Sequence, residues 1–399
     1  MVTAFRSNSY NVVICGAGPA GLMAAYQLGK LAQDVGQILL VDKKEPWKEP
    51  IFCAEAVSNN RLNKLWPVDE SWVRGTISGI YFTSPKGYKA EFYSKNCGLL
   101  LDRSKFHHAI ADACVDAGVE CRFDALVKKI AHDGNCWNLD VKVGEEIFRL
   151  SASVVIDATG PGCRLTRGIP CLEGIESGNT DLEPAIFAVA EGIEHKRDHI
   201  DLFYGREFPG GYGWIFPRDG KEVNIGFVLS KNAKPDMPLR EKLKQFIARR
   251  YPNAVIRTIC GGMIACGQSK KPLAKCGLFK AGDAASCVNP MSRSGIVESL
   301  ISGKIAAEAV HEWLLATDDA ARSRIEASVL DRWMATLGKT HLQIAKAKPE
   351  FAKVKDEQFD KAAKRLSELP LEKQTLFRIF FAVLRSCPSL IWRMRSFLH

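Results

Sequence analysis

The pattern Gly16-x-Gly18-x-x-Gly21 constrains the fold of this chain more than any other feature of its sequence. It follows an apolar run, residues 11–15, and precedes an alanine- and leucine-rich stretch, residues 22–31, which predict a buried strand and a helix. A further apolar strand completes a βαβ unit of about 30 residues. In such a unit Gly16 permits the tight turn, Gly18 lets the backbone approach a pyrophosphate, and Gly21 lets the helix pack against the strand.

Asp42 ends the second strand of this unit, where an acid is well placed to bond ribose hydroxyls. An acid at this position disfavours a 2′-phosphate, which excludes NADP as the ligand of this site. The phosphates of a dinucleotide are expected on the helix N-terminus, where free N–H groups and the helix dipole favour negative charge. The pattern does not distinguish NAD from FAD.

A second acid, Asp283, follows another buried apolar segment, residues 277–281, and precedes a long helix that begins near Gly295 and Ile296. In FAD enzymes with this layout the acid bonds the ribityl chain, and the positive end of the following helix faces the flavin. The two motifs together therefore predict FAD rather than NAD.

The two dinucleotide-binding segments are far apart in the sequence, which predicts an α/β fold with a Rossmann-type FAD-binding domain split by an insertion. We expect this domain to comprise residues 8–172 and 260–317. Residues 173–259 contain several strand-like segments and are expected to form a substrate-binding domain with a mixed or antiparallel sheet. Residues 318–399 are expected to form a C-terminal helical region.

The bulk composition limits the other classes of function. A hydrophobic content of 46% and a charged content of 25% are those of an ordinary globular protein, and no apolar stretch has the length of a transmembrane helix. The net charge of +10 favours anionic partners, but no nucleic-acid-binding module accompanies it. The thirteen cysteines lack metal-binding spacings, which predicts mostly buried, reduced thiols and no metal site in a cytoplasmic protein.

The C-terminal segment leaves two interpretations open. Residues 371–385 combine leucines and phenylalanines with arginines, and a similar basic and aromatic pattern continues after Pro388. Such a segment is typical either of a helix that packs on the substrate domain or of a helix that lies at a membrane surface. Peripheral membrane contact is therefore one of two expectations for this region.

Over roughly residues 10–315 the chain resembles the geranylgeranyl reductases, within the flavoprotein class that includes p-hydroxybenzoate hydroxylase. The segment from Pro209 to Pro217 fits the family pattern PxxYxWxFP at every fixed position. The loop from Cys53 to Ser58 resembles the cysteine-containing loop that the family places beside the flavin. The segment around Asp283 is similar to the second FAD signature of the family.

The resemblance implies a set of cofactor contacts. Arg103 corresponds to the arginine that contacts FAD, and Cys53 to a thiol that donates a proton or tunes the flavin, although a buried structural thiol is the alternative for Cys53. Arg293 stands where the family more often has glycine, and it is expected either near the flavin or the substrate phosphate, or in solvent. The residues expected to contact FAD are Gly16, Gly18, Ala20, Gly21, Asp42, Cys53, Ala54, Arg103, Val127, Asp283, Gly295 and Ile296.

Tyr212, Trp214 and Phe216 alternate along a predicted strand, so their side chains are expected on one face of a sheet. The resemblance favours an aromatic wall of a substrate tunnel, whereas the alternation alone also fits an ordinary sheet core. Tyr212 is, in another interpretation, the proton donor. Pro290 completes the residues expected to contact the substrate.

The activity implied by the resemblance is the reduction of C=C bonds in a geranylgeranyl chain of a lipid, quinone or chlorophyll-type substrate, with hydride from reduced FAD. Both NAD(P)H and a ferredoxin are open as electron donors, because Thr159 replaces an acid that helps handle the nicotinamide donor in related hydroxylases. The main alternative is an aromatic monooxygenase or halogenase that uses oxygen. A non-enzymatic FAD-binding protein is the third hypothesis.

Overall fold

In a computed structural model of the chain, the described residues are 5–31, 36–162, 164–176, 181–374 and 378. The chain divides into two compact units, each assembled from three separate stretches of sequence. The first unit comprises Met1–Ile51, Arg103–Leu182 and Ala265–His341. The second comprises Phe52–Asp102, Glu183–Ile264 and Leu342–His399.

The first unit is built on an eight-stranded sheet. Its strands, numbered along the whole chain, are β1 (Ser9–Cys15), β2 (Ile38–Val41), β6 (Glu120–Arg122), β7 (Ala125–His132), β8 (Trp137–Val143), β9 (Glu146–Asp157), β15 (Ala274–Lys275) and β16 (Leu278–Lys280). Six strands follow the order β15-β16-β9-β1-β2-β6, and β7 and β8 join the sheet through β9. The α-helices of this unit are α1 (Pro19–Lys30), α3 (Arg103–Asp116), α5 (Ile296–Leu315) and α6 (Asp319–Trp333), with 3-10 turns at Pro170–Leu172 and Gly282–Ala285.

The centre of this sheet is parallel, as the two dinucleotide motifs predict. β1 pairs in parallel with β2 and with β9, and β9 pairs in parallel with β16. The last four residues of β1 are all buried, in agreement with its continuous apolar sequence. In this register the strand ends Cys15, Val41, Asp157 and Lys280 lie side by side at one edge of the sheet. The predicted Rossmann-type core is confirmed.

β9 is one continuous strand of 12 residues that pairs with β8, β1 and β16. Its first part pairs antiparallel with β8, from Glu146 opposite Val143, and its later part pairs parallel with β1. The small and polar residues 151–153 interrupt the apolar pattern, although the backbone pairing continues through them. The strand therefore connects the hairpin to the parallel core.

The second unit is also built on an eight-stranded sheet. Its strands are β3 (Ala56–Ser58), β4 (Val73–Thr83), β5 (Lys89–Leu101), β10 (Leu182–Glu191), β11 (His199–Phe203), β12 (Tyr212–Pro217), β13 (Val223–Val228) and β14 (Val255–Ala265). They follow the order β14-β10-β13-β12-β11-β4-β5-β3, in which β11 and β4 are parallel and their neighbouring pairs are antiparallel. The expected mixed sheet is confirmed. The helices are α2 (Asn59–Asn63), α4 (Leu239–Arg250), α7 (Lys339–Phe351) and α8 (Asp356–Ser367), with 3-10 turns at Glu70–Trp72 and Leu371–Lys373. The first three residues of α7, and the π-helical turn at Met334–Gly338 before it, belong to the first unit.

The division into units differs from the expected domain boundaries at residues 52–102. The sequence places them in the FAD-binding domain, whereas in the structure they contribute β3, β4 and β5 to the second sheet. The pairing of β4 with β5 shifts register between Val73 and Gly75 and again between Ile77 and Gly79. Each shift changes the face to which the following side chains point, so the regular alternation that would predict two long strands is missing.

The described part of the C-terminal helical region expected at residues 318–399 is divided between the units. Glu326 of α6 accepts hydrogen bonds from two N–H groups just before β16 (2.7 and 3.1 Å), which attaches this helix to the first unit. Asp360 of α8 accepts a bond from the Ser84 hydroxyl (2.8 Å), which attaches that helix to the second.

The basic and aromatic helix predicted over residues 371–385 lies outside the described residues, apart from 371–374 and 378. Its two interpretations therefore stay predictions. Among the helices that the structure does describe, none combines the length and the apolar sequence needed to cross a membrane.

The second sheet has a different apolar cluster on each face. Ile215 of β12 packs in the cluster that contains Leu243 and Phe246 of α4. Its neighbours Trp214 and Phe216 pack in the other cluster. Because successive side chains of a strand point to opposite faces, α4 covers one face of the sheet and the aromatic residues of β12 lie on the other.

Candidate functional site

The turn between β1 and α1 has the shape that the glycine pattern predicts. Gly16 has a φ angle of +104°, and a Cβ atom there would lie 2.3 Å from the carbonyl oxygen of Ala158. A Cβ atom on Gly21 would lie 1.8 Å from the carbonyl oxygen of Gly16. A Cβ atom on Gly18, by contrast, would meet no atom of the described chain within 4 Å. The turn itself requires Gly16 and Gly21, and the space over Gly18 is open to a ligand.

The N-terminus of α1 is suited to an anion. The helix begins at Pro19, after Gly18, and no side chain caps it. The N–H groups of a first helical turn have no intrahelical partner, and the helix dipole adds positive potential there. Beside this turn, the Asp42 carboxylate accepts bonds from the N–H groups of Ala17 (2.6 Å) and Lys44 (3.2 Å). These bonds fix the acid, whose other lone pairs are suited to hydroxyl donors.

Asp283 lies in the 3-10 turn after β16 and faces the start of α5. This helix begins at Ile296, after Gly295, without a side-chain cap. A Cβ atom on Gly295 would lie 4.0 Å from Asp283 Oδ1. Burial raises the pKa of Asp283 to about 6, and no cation or hydrogen-bond donor in the described part of the chain offsets this effect. A carboxyl in this position is suited to hydroxyl donors supplied by a ligand.

These features of the first unit fit FAD. The glycine turn and the uncapped α1 match a pyrophosphate, Asp42 matches a ribose, and Asp283 matches the hydroxyls of a ribityl chain. The uncapped start of α5 matches the electron-rich edge of a flavin. Ala20 and Ile296, in the first turns of α1 and α5, are both buried.

Arg103, the first residue of α3, is buried and contacts a histidine on the same helix. Arg103 Nη2 lies 2.6 Å from His107 Nε2, and His107 Nδ1 lies 2.7 Å from the carbonyl oxygen of Pro46. Burial and the charge of Arg103 lower the pKa of His107 to about 3. His107 is therefore neutral at physiological pH.

Three further candidates of the first unit have defined surroundings. Val127 lies on β7 and packs against the apolar core of the unit. Pro290 is buried in a compact loop, which the Asn289 side chain closes by accepting bonds from two following N–H groups (both 3.0 Å). Arg293 is 9% exposed, and its Nη1 donates to the Met291 carbonyl. This contact excludes the solvent-exposed alternative for Arg293.

In the second unit, hydrogen bonds hold the loop that contains Cys53 and Ala54. Cys53 Sγ accepts a bond from the N–H of Glu55 (3.2 Å), and the Cys53 carbonyl accepts one from Asn224 Nδ2 (3.1 Å). Glu55 has a φ angle of +73°, and its carboxylate pairs with Arg218 Nε at 2.9 Å. The loop is thus fixed by contacts within its unit, with the Cys53 side chain partly exposed.

Tyr212, Trp214 and Phe216 share one face of β12, as their alternation predicts. The ring centroids of Tyr212 and Trp214 are 6.2 Å apart, and those of Trp214 and Phe216 are 6.3 Å apart. The row continues to Tyr204, whose ring centroid is 6.2 Å from that of Tyr212. We call these four rings the aromatic row.

Three residues that the sequence does not mark organise these sites. Asn224 bonds to the Trp214 indole and to the Cys53 carbonyl, Arg218 pairs with the acid of the Cys53 loop, and His107 contacts Arg103. Asn224 and Arg218 are defined by partners that packing brings close, so no local motif identifies them, whereas His107 lies one helical turn after Arg103. Asn224 nevertheless carries a signal in the sequence. It is a polar residue inside the apolar strand β13, and a buried polar side chain needs a hydrogen-bond partner.

The candidate residues divide between the units. The glycine turn, Asp42, Arg103 and Asp283 belong to the first, and the Cys53 loop and the aromatic row belong to the second. Burial raises the pKa of several thiols outside these sites, among them Cys15, Cys114 and Cys287. These thiols act as small apolar residues, as expected from the sequence. Within the described ranges, no group of three or more histidine, cysteine or acidic side chains is arranged to hold a metal ion.

Comparison with known proteins agrees with FAD as the cofactor. Residues 54–309 match the family model of the FAD-dependent oxidoreductases (DAO). The chain is 29% identical to the digeranylgeranylglycerophospholipid reductase of Methanosarcina acetivorans, over 97% of this chain and 95% of that protein.

Two solved structures share the fold. A geranylgeranyl bacteriochlorophyll reductase-like protein from Thermoplasma acidophilum superposes with a TM-score of 0.87 at 23% identity, covering 98% of this chain and 99% of the other. The p-nitrophenol 4-monooxygenase PnpA from Pseudomonas putida gives a TM-score of 0.68 at 16% identity, covering 95% and 99%. The expected fold, the FAD cofactor and the resemblance to geranylgeranyl reductases are confirmed. The chain belongs to the FAD-dependent oxidoreductase family.

Proposed function

We propose that this enzyme uses reduced FAD to saturate C=C bonds of a geranylgeranyl chain carried by a glycerophospholipid or by a related quinone or chlorophyll-type lipid. The observation that carries the proposal is the apolar face of the second sheet, with the aromatic row along it. A relative of nearly full-length similarity is named for reduction of digeranylgeranylglycerophospholipid, which supports the same substrate class.

The face that carries Trp214 and Phe216 is suited to a hydrocarbon chain. Phe187, Val189 and Ile200 pack beside these rings. Partly buried apolar side chains surround them, namely Ala54, Ala56, Ile80, Ala185, Leu202, Tyr212, Cys260 and Ile264. An apolar surface of this extent favours a long hydrocarbon over a small polar aromatic substrate.

At its Tyr204 end, the aromatic row meets the side chains of a pocket of about 260 Å³ within the second unit. The ring of Tyr204 lies 5.8 Å from that of Phe351 and 5.7 Å from that of Phe359, measured between centroids. The pocket is lined by Gly205, Arg206, Phe208, Pro209, Gly210, Gly211, Phe351, Ala352, Val354 and Phe359. Its mainly apolar lining extends the surface that a prenyl chain would contact.

For the cofactor, the proposed contacts are those that the sequence indicates. The pyrophosphate is bound by Gly16, Gly18, Ala20 and Gly21, and the ribose by Asp42. The ribityl chain and the flavin are contacted by Asp283, Gly295 and Ile296. Further FAD contacts are made by Arg103, Val127, Cys53 and Ala54. Pro290 contacts the substrate.

Reduced FAD, when bound, supplies a hydride to one carbon of the double bond. The other carbon needs a proton, and the two proposed donors are Cys53 Sγ and Tyr212 Oη. Asn224 holds the Cys53 loop by donating a hydrogen bond to the Cys53 carbonyl. The aromatic row excludes water from the prenyl chain of the substrate. The variants C53S and Y212F distinguish the donors, since the variant that removes the true donor loses reduction while retaining FAD.

The proposed electron donor is NAD(P)H or a ferredoxin. Thr159, at the position of the nicotinamide-handling acid of related hydroxylases, donates its hydroxyl to Asp157 at the end of β9 (2.6 Å). The net charge of +10 is complementary to an acidic ferredoxin, and equally to anionic lipid headgroups. A cytoplasmic enzyme in peripheral contact with a membrane surface would meet its lipid substrate there.

An anaerobic experiment tests the proposal. The purified enzyme is reduced with dithionite and mixed in turn with a geranylgeranyl glycerophospholipid, with geranylgeranyl diphosphate and with a quinone that carries a geranylgeranyl chain. Flavin absorbance and product mass are followed. We expect flavin reoxidation and a product heavier by two hydrogens for each reduced bond. Failure with every prenyl substrate, together with oxygen-dependent turnover of a phenol, would instead establish a monooxygenase or halogenase. A flavin that no substrate reoxidises would indicate a non-enzymatic FAD-binding protein.

A further inference from the structure

We propose that His107 is a positioning residue for FAD binding, which in its neutral, Nδ1-protonated form holds the Arg103 guanidinium and ties it to the loop after Asp42. The inference rests on the FAD contacts proposed above for Arg103 and Asp42. It concerns a side chain for which the sequence indicates no role, and two hydrogen bonds carry it.

The partners of the two ring nitrogens determine the tautomer of His107. The Pro46 carbonyl oxygen can only accept, so His107 Nδ1, 2.7 Å away, donates to it. Arg103 Nη2 can only donate, so His107 Nε2, 2.6 Å away, accepts from it. A doubly protonated imidazole has no acceptor and would direct an N–H at the guanidinium. The arrangement therefore requires a neutral histidine.

The surroundings of His107 keep the ring neutral. Its side chain is buried, and the positive groups near it are Arg103 on the same helix and Lys44 in the loop after β2. Burial is the largest cause of the lowered pKa of His107, followed by the charge of Arg103, while the bond to Pro46 acts in the opposite direction. The link from Arg103 to Pro46 is thus present over the whole physiological pH range.

His107 connects two parts of the first unit that are proposed to contact FAD. Arg103 begins α3, and Asp42 begins the loop that contains Pro46. The hydroxyl of Ser104 donates to the Trp47 carbonyl (2.7 Å), so the start of α3 contacts this loop at two successive carbonyls. Of these two contacts, the one made by His107 also fixes the guanidinium.

Two conservative variants separate the two hydrogen bonds of His107. An asparagine places its amide near the position of Nδ1, so H107N keeps a donor for Pro46 and loses the acceptor for Arg103. A glutamine reaches the position of Nε2, so H107Q keeps an acceptor for Arg103. We expect the dissociation constant of FAD from the apoprotein, measured by flavin fluorescence, to rise about tenfold in H107N, because a hydrogen bond to a charged group is lost. The constant should change much less in H107Q.

A double-mutant cycle with R103A shows whether His107 acts through Arg103. We expect R103A to weaken FAD binding and H107N to add no further loss in the R103A background. Additive losses would overturn the proposal, because they would assign the effect to the loop alone. Unchanged FAD affinity in R103A would also overturn it, together with the proposed contact of Arg103. A failed prenyl-reduction assay with intact FAD binding would affect the proposed function only.

The histidine on the next position of α3 provides a matched control. The His108 side chain is 54% exposed, and its ring stacks on Trp47 of the same loop at 4.3 Å between centroids. H108Q therefore changes a loop contact that does not involve Arg103, and it should bind FAD as the wild-type protein does. Nitrogen NMR of the wild-type apoprotein tests the tautomer without any substitution. A neutral His107 ring protonated at Nδ1 at pH 6 is expected, and an Nε2-protonated or doubly protonated ring would contradict the proposal.

Discussion

The indole N–H of Trp214 donates to Asn224 Oδ1 at 2.8 Å, from one strand of the second sheet to its neighbour. The other end of the same amide, Asn224 Nδ2, donates to the Cys53 carbonyl. Asn224 is 1% exposed, so both of its amide groups depend on these partners. One buried side chain therefore sets the position of an aromatic ring proposed to contact the substrate and of a thiol loop proposed to lie beside the flavin.

Replacing Asn224 with leucine removes both bonds while nearly conserving volume. The Trp214 N–H and the Cys53 carbonyl then lose a buried partner, and we expect the free energy of unfolding to fall by about 1–3 kcal/mol. Reduction of a prenyl substrate should fall more than FAD affinity, because the glycine turn and Asp283 belong to the first unit. Urea denaturation, FAD titration and steady-state kinetics measure the three quantities. Equal losses of FAD affinity and of activity would contradict the assignment.

Two variants of Trp214 separate its ring from its N–H. Trp214→Ala removes part of the aromatic row, and we expect it to retain FAD and to lose prenyl reduction. Trp214→Phe keeps an aromatic ring but loses the bond to Asn224 and part of the ring area, so its activity should be intermediate. Ile215→Val is the matched control, because Ile215 points to the α4 face of the same strand and should affect stability but not KM. Normal turnover by Trp214→Ala would refute the role of the row.

The glycine turn offers a test of the cofactor site that separates folding from binding. Gly18→Ala should leave the apoprotein folded, since its Cβ would meet no atom of the described residues within 4 Å and its φ angle is −70°. It should nevertheless weaken FAD binding by filling the space proposed for the pyrophosphate. Gly21→Ala should prevent correct folding, because its Cβ would lie 1.8 Å from the Gly16 carbonyl oxygen. Circular dichroism and FAD titration distinguish the two effects, and wild-type FAD affinity in Gly18→Ala would argue against this site.

The Rossmann-type core could be predicted because its requirements are local. Gly16, Gly21 and Asp42 are specified by a turn, a close approach and a strand end within one βαβ unit, and the structure has all three. The alternation of Tyr212 and Trp214 was equally readable, since a strand places every second side chain on one face.

The remainder depends on contacts between distant residues. The sequence did not predict that β4 and β5 belong to the second sheet. Their register shifts disturb the alternation of apolar and polar residues from which strands are recognised. The bonds from Asn224 to Cys53 and from His107 to Pro46 join residues far apart in the sequence. No spacing rule in the sequence relates such residues, so only the structure identifies them as partners.

Asp283 couples cofactor binding to stability in a pH-dependent way. Burial raises its pKa from the usual 3.8 to about 6, so between these values the folded protein binds a proton that the unfolded chain releases. Below pH 3.8 the carboxyl is neutral in both states and costs nothing. The apoprotein therefore loses stability as the pH rises from 3.8 to 6. Above 6 the carboxylate is charged in the folded protein as well, and the full cost is present in the absence of FAD.

We therefore expect Asp283→Ala to stabilise the apoprotein above pH 6, by up to about 3 kcal/mol in the free energy of unfolding, while FAD binding is lost. The gain should vanish near pH 4, where the wild-type carboxyl is protonated. Urea denaturation of both apoproteins at pH 7.5, 5 and 4 measures the difference. Glu145→Gln is the matched control, because the side chain of Glu145 is 95% exposed and its removal should shift stability little at any of these values. If the Asp283→Ala apoprotein were less stable than the wild type at pH 7.5, the carboxylate would have a hydrogen-bond or ionic partner within the protein. Its burial would then not lower the stability of the apoprotein.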